Sequence, residues 1–188
     1  MAMSHTSEDV AYAIDAVAEA AGHALRWQQL YFLNDKVKMM SFVRCVEEHG
    51  YSALVVTIDA AVGGLREHAA RAGFTFPRDV MWANLGLWPA NWNVSAAQVS
   101  CTATWRDIEQ LCKETRLPVI VKGVMCGADA VTAAKCGAAG VIVSNHGGRQ
   151  LDQCPSTASM LPFVCAALRA AGLEASCDVF VDGGIRRG

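Results

Sequence analysis

Two hydrophobic patterns alternate along this chain. Short runs apolar at nearly every position, Ala53-Leu54-Val55-Val56-Thr57-Ile58, Pro118-Val119-Ile120-Val121, Gly140-Val141-Ile142-Val143 and Val179-Phe180-Val181, predict strands buried on both faces. A further strand is predicted over residues 25–32. Between these runs apolar residues recur at helical spacing. Val10, Ile14, Val17 and Ala21 follow cap and first-turn residues at Ser4, Thr6, Ser7, Glu8 and Asp9, which predicts an amphipathic helix. Val37, Phe42, Val43 and Val46 share one face of a second helix, over 35–48, with Gly50 as its stop. Further helices are predicted over 104–115, 128–136 and 156–170. Residues 60–100 lose the period and carry Pro77, Pro89, Trp82, Trp88 and Trp92, so they read as a long excursion.

Doubly buried strands alternating with helices imply parallel pairing through right-handed crossovers, an α/β architecture. Polar residues gather where the strands end: Gln29 and Tyr31, Thr57 and Asp59, Lys122, Ser144 and His146, and Asp182. Chemistry at every strand end is the habit of a (β/α)8 barrel, whereas a doubly wound sheet concentrates it at one switch point. No GxGxxG fingerprint argues for the latter. Five strands are visible, fewer than a complete barrel of about 250 residues would have, so the expected fold is an incomplete TIM barrel.

Composition narrows the partners. With 188 residues, 53% hydrophobic and a net charge of −2, the chain has no basic face for nucleic acid. Its apolar runs fall well short of the ~20 residues of a membrane span, and no signal sequence is recognised, so an intracellular protein is expected. The eight cysteines form no CxxC pair or Cys/His cluster, which predicts reduced thiols and no metal site.

The segment Ser144-Asn145-His146-Gly147-Gly148-Arg149-Gln150-Leu151-Asp152 carries the densest candidate chemistry. An imidazole and a guanidinium three positions apart suit a substrate with a carboxylate beside a removable proton, since guanidinium grips carboxylate through two parallel hydrogen bonds. The alternatives are a structural histidine and an Arg149–Asp152 surface pair. Asp59 is either an orienting partner that stabilises a protonated imidazole or a turn aspartate. Lys122 either neutralises an anion in the site or snorkels to solvent. Asp182-Gly183-Gly184-Ile185-Arg186-Arg187-Gly188 is either a phosphate cradle or an ordinary tight loop.

With those residues in view, the chain resembles the FMN-dependent 2-hydroxy acid oxidases and dehydrogenases, the family of glycolate oxidase, lactate oxidase and flavocytochrome b2. The likeness lies in Leu117 to Val124, Gly137 to Asp152 and Val179 to Gly188, with weaker similarity through Gln29-Leu30-Tyr31 and Thr57-Ile58-Asp59. It implies oxidation of a small (S)-2-hydroxy acid to the 2-oxo acid, with His146 as base, Asp59 as its carboxylate partner and Arg149 as the carboxylate clamp. Tyr31 and a second, mobile Arg66 would also touch substrate. Lys122 would sit beside the N1/O2 edge of the FMN ring. Gln29, Thr57 and Ser144 would hydrogen-bond the ring or its chain, while Asp182, Gly183, Gly184, Ile185 and Arg186 would hold ribityl and phosphate. The excursion would correspond to the family's lid, within one partial domain spanning 1–188.

The resemblance also implies that strands three to seven of the barrel are present, with strand edges left open that favour association between copies. Electrons would pass to O2 or a redox partner, in the cytoplasm or a peroxisome. Two outcomes stay open: a working part of such a flavoenzyme, or a non-catalytic remnant that does not hold FMN stably.

Overall fold

A computed structural model describes residues 14–73 and 99–186. In chain order the elements are helix α1 (Ile14–Ala21), strand β1 (Trp27–Leu30), α2 (Lys36–Glu48), β2 (Ala53–Thr57), the short α3 (Glu67–Arg71), α4 (Trp105–Glu114), β3 (Val119–Val124), α5 (Gly127–Lys135), β4 (Gly140–Val143), a single 3-10 turn (His146–Gly148), α6 (Thr157–Ala170) and β5 (Asp178–Val181). The start of the first predicted helix and the three excursion tryptophans lie outside the described residues.

All five strands are parallel and lie in the order β1-β2-β3-β4-β5. A doubly wound sheet reverses its order at a switch point; here each strand is added on the same side, as in a (β/α)8 barrel. Curvature is visible in the side chains. In a flat sheet four strand spacings would separate β1 from β5 by about 19 Å. Yet Trp27 on β1 and Phe180 on β5 meet edge to face, with ring centroids 5.1 Å apart. The sheet therefore curls toward closure, forming part of a barrel wall.

Alternation along the strands separates two environments. Leu54, Val56, Val121, Val141 and Val143 point outward and pack with Phe42, Val43, Ile108, Leu111, Ala130, Ala133, Val164 and Leu168 from the helices. Ala53, Val55, Ile120 and Ile142 point inward, against Trp27 and Phe180. Side chains as completely buried as Leu54, Leu111 and Leu168 each contribute roughly 1.5–3 kcal/mol. Because side chains alternate faces, the positions that continue the inner row, Thr57, Lys122, Ser144 and Asp182, arrive together at the C-terminal rim.

Local signals place the helix ends. Asp35 caps α2 by accepting from Lys38 N at 2.9 Å. Gly50 takes a left-handed φ of 69° just beyond its end. At α4 the Asp107 carboxylate accepts from Thr104 N and Oγ1, both at 2.8 Å, and from Lys36 Nζ at 2.7 Å. At the opposite end of the sheet from the rim, buried Arg26 donates to Gly22 O at 2.6 Å and His49 O at 3.0 Å, with its guanidinium over the Tyr51 ring. It ties α1, β1 and α2 together.

Several predicted boundaries change. The strand expected over 25–32 is shorter, Trp27–Leu30, because Leu25 stays 62% exposed and Arg26 turns to the backbone carbonyls around it. β3 runs beyond Val121 to Val124, so Lys122 lies within the strand and does not terminate it. The register shifts between Lys122 and Val124, where Gly123 takes φ 106°. A bulge hid the end of this strand from a simple alternation count. The stretch 60–100 is not wholly irregular, since it contains α3, and an antiparallel bridge joins Val99 to Leu33. The eight cysteines are free thiols. Among the described residues no helix is long and apolar enough to cross a membrane.

Candidate active site

Loops following β2 and β4 meet above β3, although these strands are not neighbours in the sheet. His146 Nδ1 lies 2.8 Å from Asp59 Oδ1. Both side chains are largely withdrawn from solvent, 12% and 14% exposed, so water competes little for this bond. Gly123 makes the approach possible. A Cβ on it would stand 2.7 Å from both Cβ and Cγ of Asp59, closer than atoms can pack.

The backbone around His146 is unusual. His146 itself has φ 57°, a left-handed conformation that an L-residue adopts at a cost of about 1 kcal/mol or more. It is held there because His146 N donates to Ser144 Oγ at 3.2 Å, while Gly148 N donates to the Asn145 side chain at 3.3 Å. A carboxylate only accepts, so this contact assigns a hydrogen to Nδ1, and in the corresponding neutral tautomer Nε2 is the nitrogen with the lone pair.

Beside the imidazole, Lys122 is buried on the inner face and donates to Ser144 Oγ at 2.9 Å. Its ammonium is 3.5 Å from Asp182 Oδ2. Ser144 thus accepts from both Lys122 and the His146 backbone, which keeps its own hydroxyl hydrogen for a third partner. Gln29 donates to Thr57 Oγ1 at 2.9 Å across β1 and β2. Thr157, buried at the start of α6, donates to Asp182 O at 2.6 Å and fixes the turn after β5. In that turn Gly183 and Gly184 have φ of 93° and 79°, and a Cβ on Gly183 would stand 3.0 Å from Asn145 Oδ1. Ile185 and Arg186 follow, exposed.

Arg149 is exposed at the same rim. Its guanidinium lies over Gly147, whose Cβ, if present, would be 3.1 Å from Nη1. Among the described residues it forms no ion pair with Asp152, so its donors remain open to a ligand. Arg66 donates to Arg149 O and, at 3.0 Å, to Gln150 Oε1. Tyr31 follows β1 at an inner-row position. The structure therefore brings His146, Asp59, Arg149, Arg66, Lys122, Ser144, Gln29, Thr57, Tyr31 and the 182–186 turn to one end of the sheet. Arg187 and Gly188 lie outside the described residues. Sequence reasoning passed over Gln150 and Gly64, which join the two loops; Gln150 stands directly after Arg149, the one available signal.

Three buried polar atoms at this end have no hydrogen-bond partner among the described residues: Gln29 Oε1, Asp59 Oδ2 and Asp182 Oδ1. Buried polar atoms are almost always hydrogen-bonded, so three orphans at one rim mark a place for a polar ligand. The donor set suits a flavin mononucleotide. The amide and hydroxyl groups of Gln29, Thr57 and Ser144 could meet ring edges, the buried Lys122 ammonium could balance negative charge there, and the Gly183-Gly184 turn could offer N–H groups to phosphate.

An apolar cavity of about 370 Å³ opens nearby, lined by Phe32, Ile58, Ala60, Ala61, Val99 and Trp105 among others. It lies between the end of β2 and the start of α4. None of the charged groups above lines it, so the chemistry belongs to the strand ends.

Comparison with known proteins agrees with the fold. The sequence is 37% identical to 2-hydroxyacid oxidase 1 of Mus musculus over 188 residues, 93% of this chain and 50% of that protein. It is 38% identical to L-lactate oxidase of Alicycliphilus denitrificans over 184 residues, 93% of this chain and 49% of the relative. Among solved structures, the flavin-binding domain of baker's yeast flavocytochrome b2 superposes with a TM-score of 0.79 at 35% identity, covering 94% of this chain and 41% of that one. The chain spans about half the length of the curated relatives it matches. The FMN-dependent dehydrogenase family model matches residues 1–188 throughout, and the chain belongs to that family of FMN-binding enzymes.

Proposed function

We propose that this chain carries the catalytic strand ends of an FMN-dependent enzyme that oxidises a small (S)-2-hydroxy acid to the 2-oxo acid. The carrying observation is the His146–Asp59 pair at 2.8 Å at the same rim as a buried Lys122 and an exposed Arg149 guanidinium that forms no ion pair among the described residues. FMN, when bound, supplies the two-electron acceptor. Everything else falls to side chains. Arg149 grips the substrate carboxylate through parallel hydrogen bonds, with Arg66 and the Tyr31 hydroxyl as further contacts. That grip sets the 2-hydroxyl and the α-carbon against the imidazole.

His146 Nε2 takes up a proton, from the hydroxyl if the α-hydrogen leaves as hydride, or from the α-carbon if it leaves as a proton. In both routes the imidazole becomes cationic, and Asp59 stabilises that charge through Nδ1–H. Lys122 would compensate negative charge at the ring edge. Gln29, Thr57 and Ser144 would hydrogen-bond the ring or its chain, and Asp182, Gly183, Gly184, Ile185 and Arg186 would hold ribityl and phosphate. Electrons would then pass to O2 or a redox partner. An intracellular location and association between copies belong to the same reading.

The test is spectroscopic. Purified chain supplied with FMN is expected to turn yellow, and its flavin absorption to bleach anaerobically with glycolate or lactate. His146→Gln removes the proton acceptor and should slow bleaching by about 10²–10⁴-fold while FMN uptake persists. Loss of FMN in that variant overturns this division of roles. A wild-type chain that stays colourless favours the non-catalytic remnant.

A further inference from the structure

Gln150 has no assigned part in the chemistry, yet its carboxamide is saturated. Oε1 accepts from Gly64 N and from Arg66 Nη2, each at 3.0 Å. Nε2 donates to Val62 O at 2.9 Å and to Asp59 O at 3.3 Å. Only one orientation of the amide satisfies all four contacts, because its oxygen faces two donors and its nitrogen two acceptors. All four partners belong to the loop after β2, whereas Gln150 belongs to the loop after β4. The contact is too close for a side chain on Gly64: a Cβ there would stand 2.2 Å from Arg149 O and 2.7 Å from Gln150 Oε1. Asp59 is consequently gripped twice by one loop, at its carboxylate by His146 and at its carbonyl by Gln150.

We infer that Gln150 is a positioning residue: its carboxamide locks the Asp59 loop to the His146 loop, fixing the aspartate–imidazole pair and bringing Arg66 beside Arg149. It touches neither substrate nor FMN; it acts through Asp59 and Arg66. The inference extends the proposed reaction, but the geometry it concerns can be read without turnover. Methionine at 150 keeps the length and removes every hydrogen bond. Glutamate keeps the acceptor for Gly64 N and Arg66 and loses the donors to Asp59 O and Val62 O.

The experiment follows the His146 Nδ1–H proton by NMR in the full chain, together with the rate of anaerobic flavin bleaching by lactate. In the unmodified protein this proton is expected as a resolved downfield signal protected from solvent exchange. Gln150→Met should accelerate its exchange by at least about tenfold, and bleaching should slow by about 10–100-fold, as misplacement of a reacting group by about 1 Å would cause. Gln150→Glu should also accelerate exchange, since Asp59 O loses its donor, and this second variant decides the matter if the first does not fold.

A merely structural Gln150 predicts a lower melting temperature with the Nδ1–H signal and the bleaching rate unchanged; that result overturns the inference. Absence of a protected proton in the unmodified chain overturns it too. A proton that responds to both variants in a chain that never bleaches supports Gln150 positioning while refuting the proposed reaction.

Discussion

Glu47 offers a quantitative test of how this barrel wall is held together away from its chemistry. The residue lies in the last turn of α2 with its side chain only 2% exposed. Burial works against ionisation, but the carboxylate accepts from Arg116 N at 2.8 Å, Thr115 Oγ1 at 2.7 Å and Arg44 Nη1 at 2.9 Å, and Arg44 adds its charge. These contacts outweigh burial and hold its pKa at about 2, down from an ordinary 4.5. At about 1.4 kcal/mol for each tenfold change in proton affinity, the depression is worth roughly 3 kcal/mol of stability.

A depressed folded-state pKa stabilises above the unfolded value and loses that contribution as pH falls toward the folded one. The contribution is complete above about pH 5.5 and fades between 4.5 and about 2. Of the roughly 3 kcal/mol, about 2 should be gone by about pH 3. Glu47→Gln keeps the shape and an acceptor oxygen but cannot carry the charge. Urea unfolding near neutral pH should show the variant less stable by about 3 kcal/mol, and near pH 3 by about 1 kcal/mol. A difference that stays constant between the two pH values would refute the electrostatic account. Because Glu47 pins the start of β3 and the site gathers at its other end, FMN binding should be unchanged.

Gly123→Ala combines a left-handed backbone with a Cβ 2.7 Å from Asp59, so it should destabilise by about 1–3 kcal/mol and displace Asp59 from His146. Thermal unfolding and the His146 Nδ1–H signal both read this, and an unperturbed signal would show that the loop yields without cost. Arg26→Ala strips the guanidinium from the carbonyls of Gly22 and His49 and should cost about 2–4 kcal/mol in chemical denaturation. A loss below about 0.5 kcal/mol would mean that water takes over these carbonyls.

The sequence by itself determined the strands and the chemistry available at their ends. Ala53–Thr57 and Gly140–Val143 were legible because doubly buried strands leave consecutive apolar residues, whereas β5, expected to be buried on both faces from its similar apolar run, is only partly buried with Asp178 exposed, because it is an edge strand among the described residues. Thr57, Lys122, Ser144 and Asp182 could be read as a set because parallel strands end on one side of the sheet. Tertiary structure decided what could not be counted along the chain. Lys122 became an interior strand residue through the bulge at Gly123, a feature that exists only relative to β4. Asp59 met His146, and Gln150 met Gly64 and Arg66, across 84 to 87 residues of sequence. No pattern near either partner encodes such a meeting, because it depends on the curl of the sheet and on two glycines whose missing side chains let one loop lie against another.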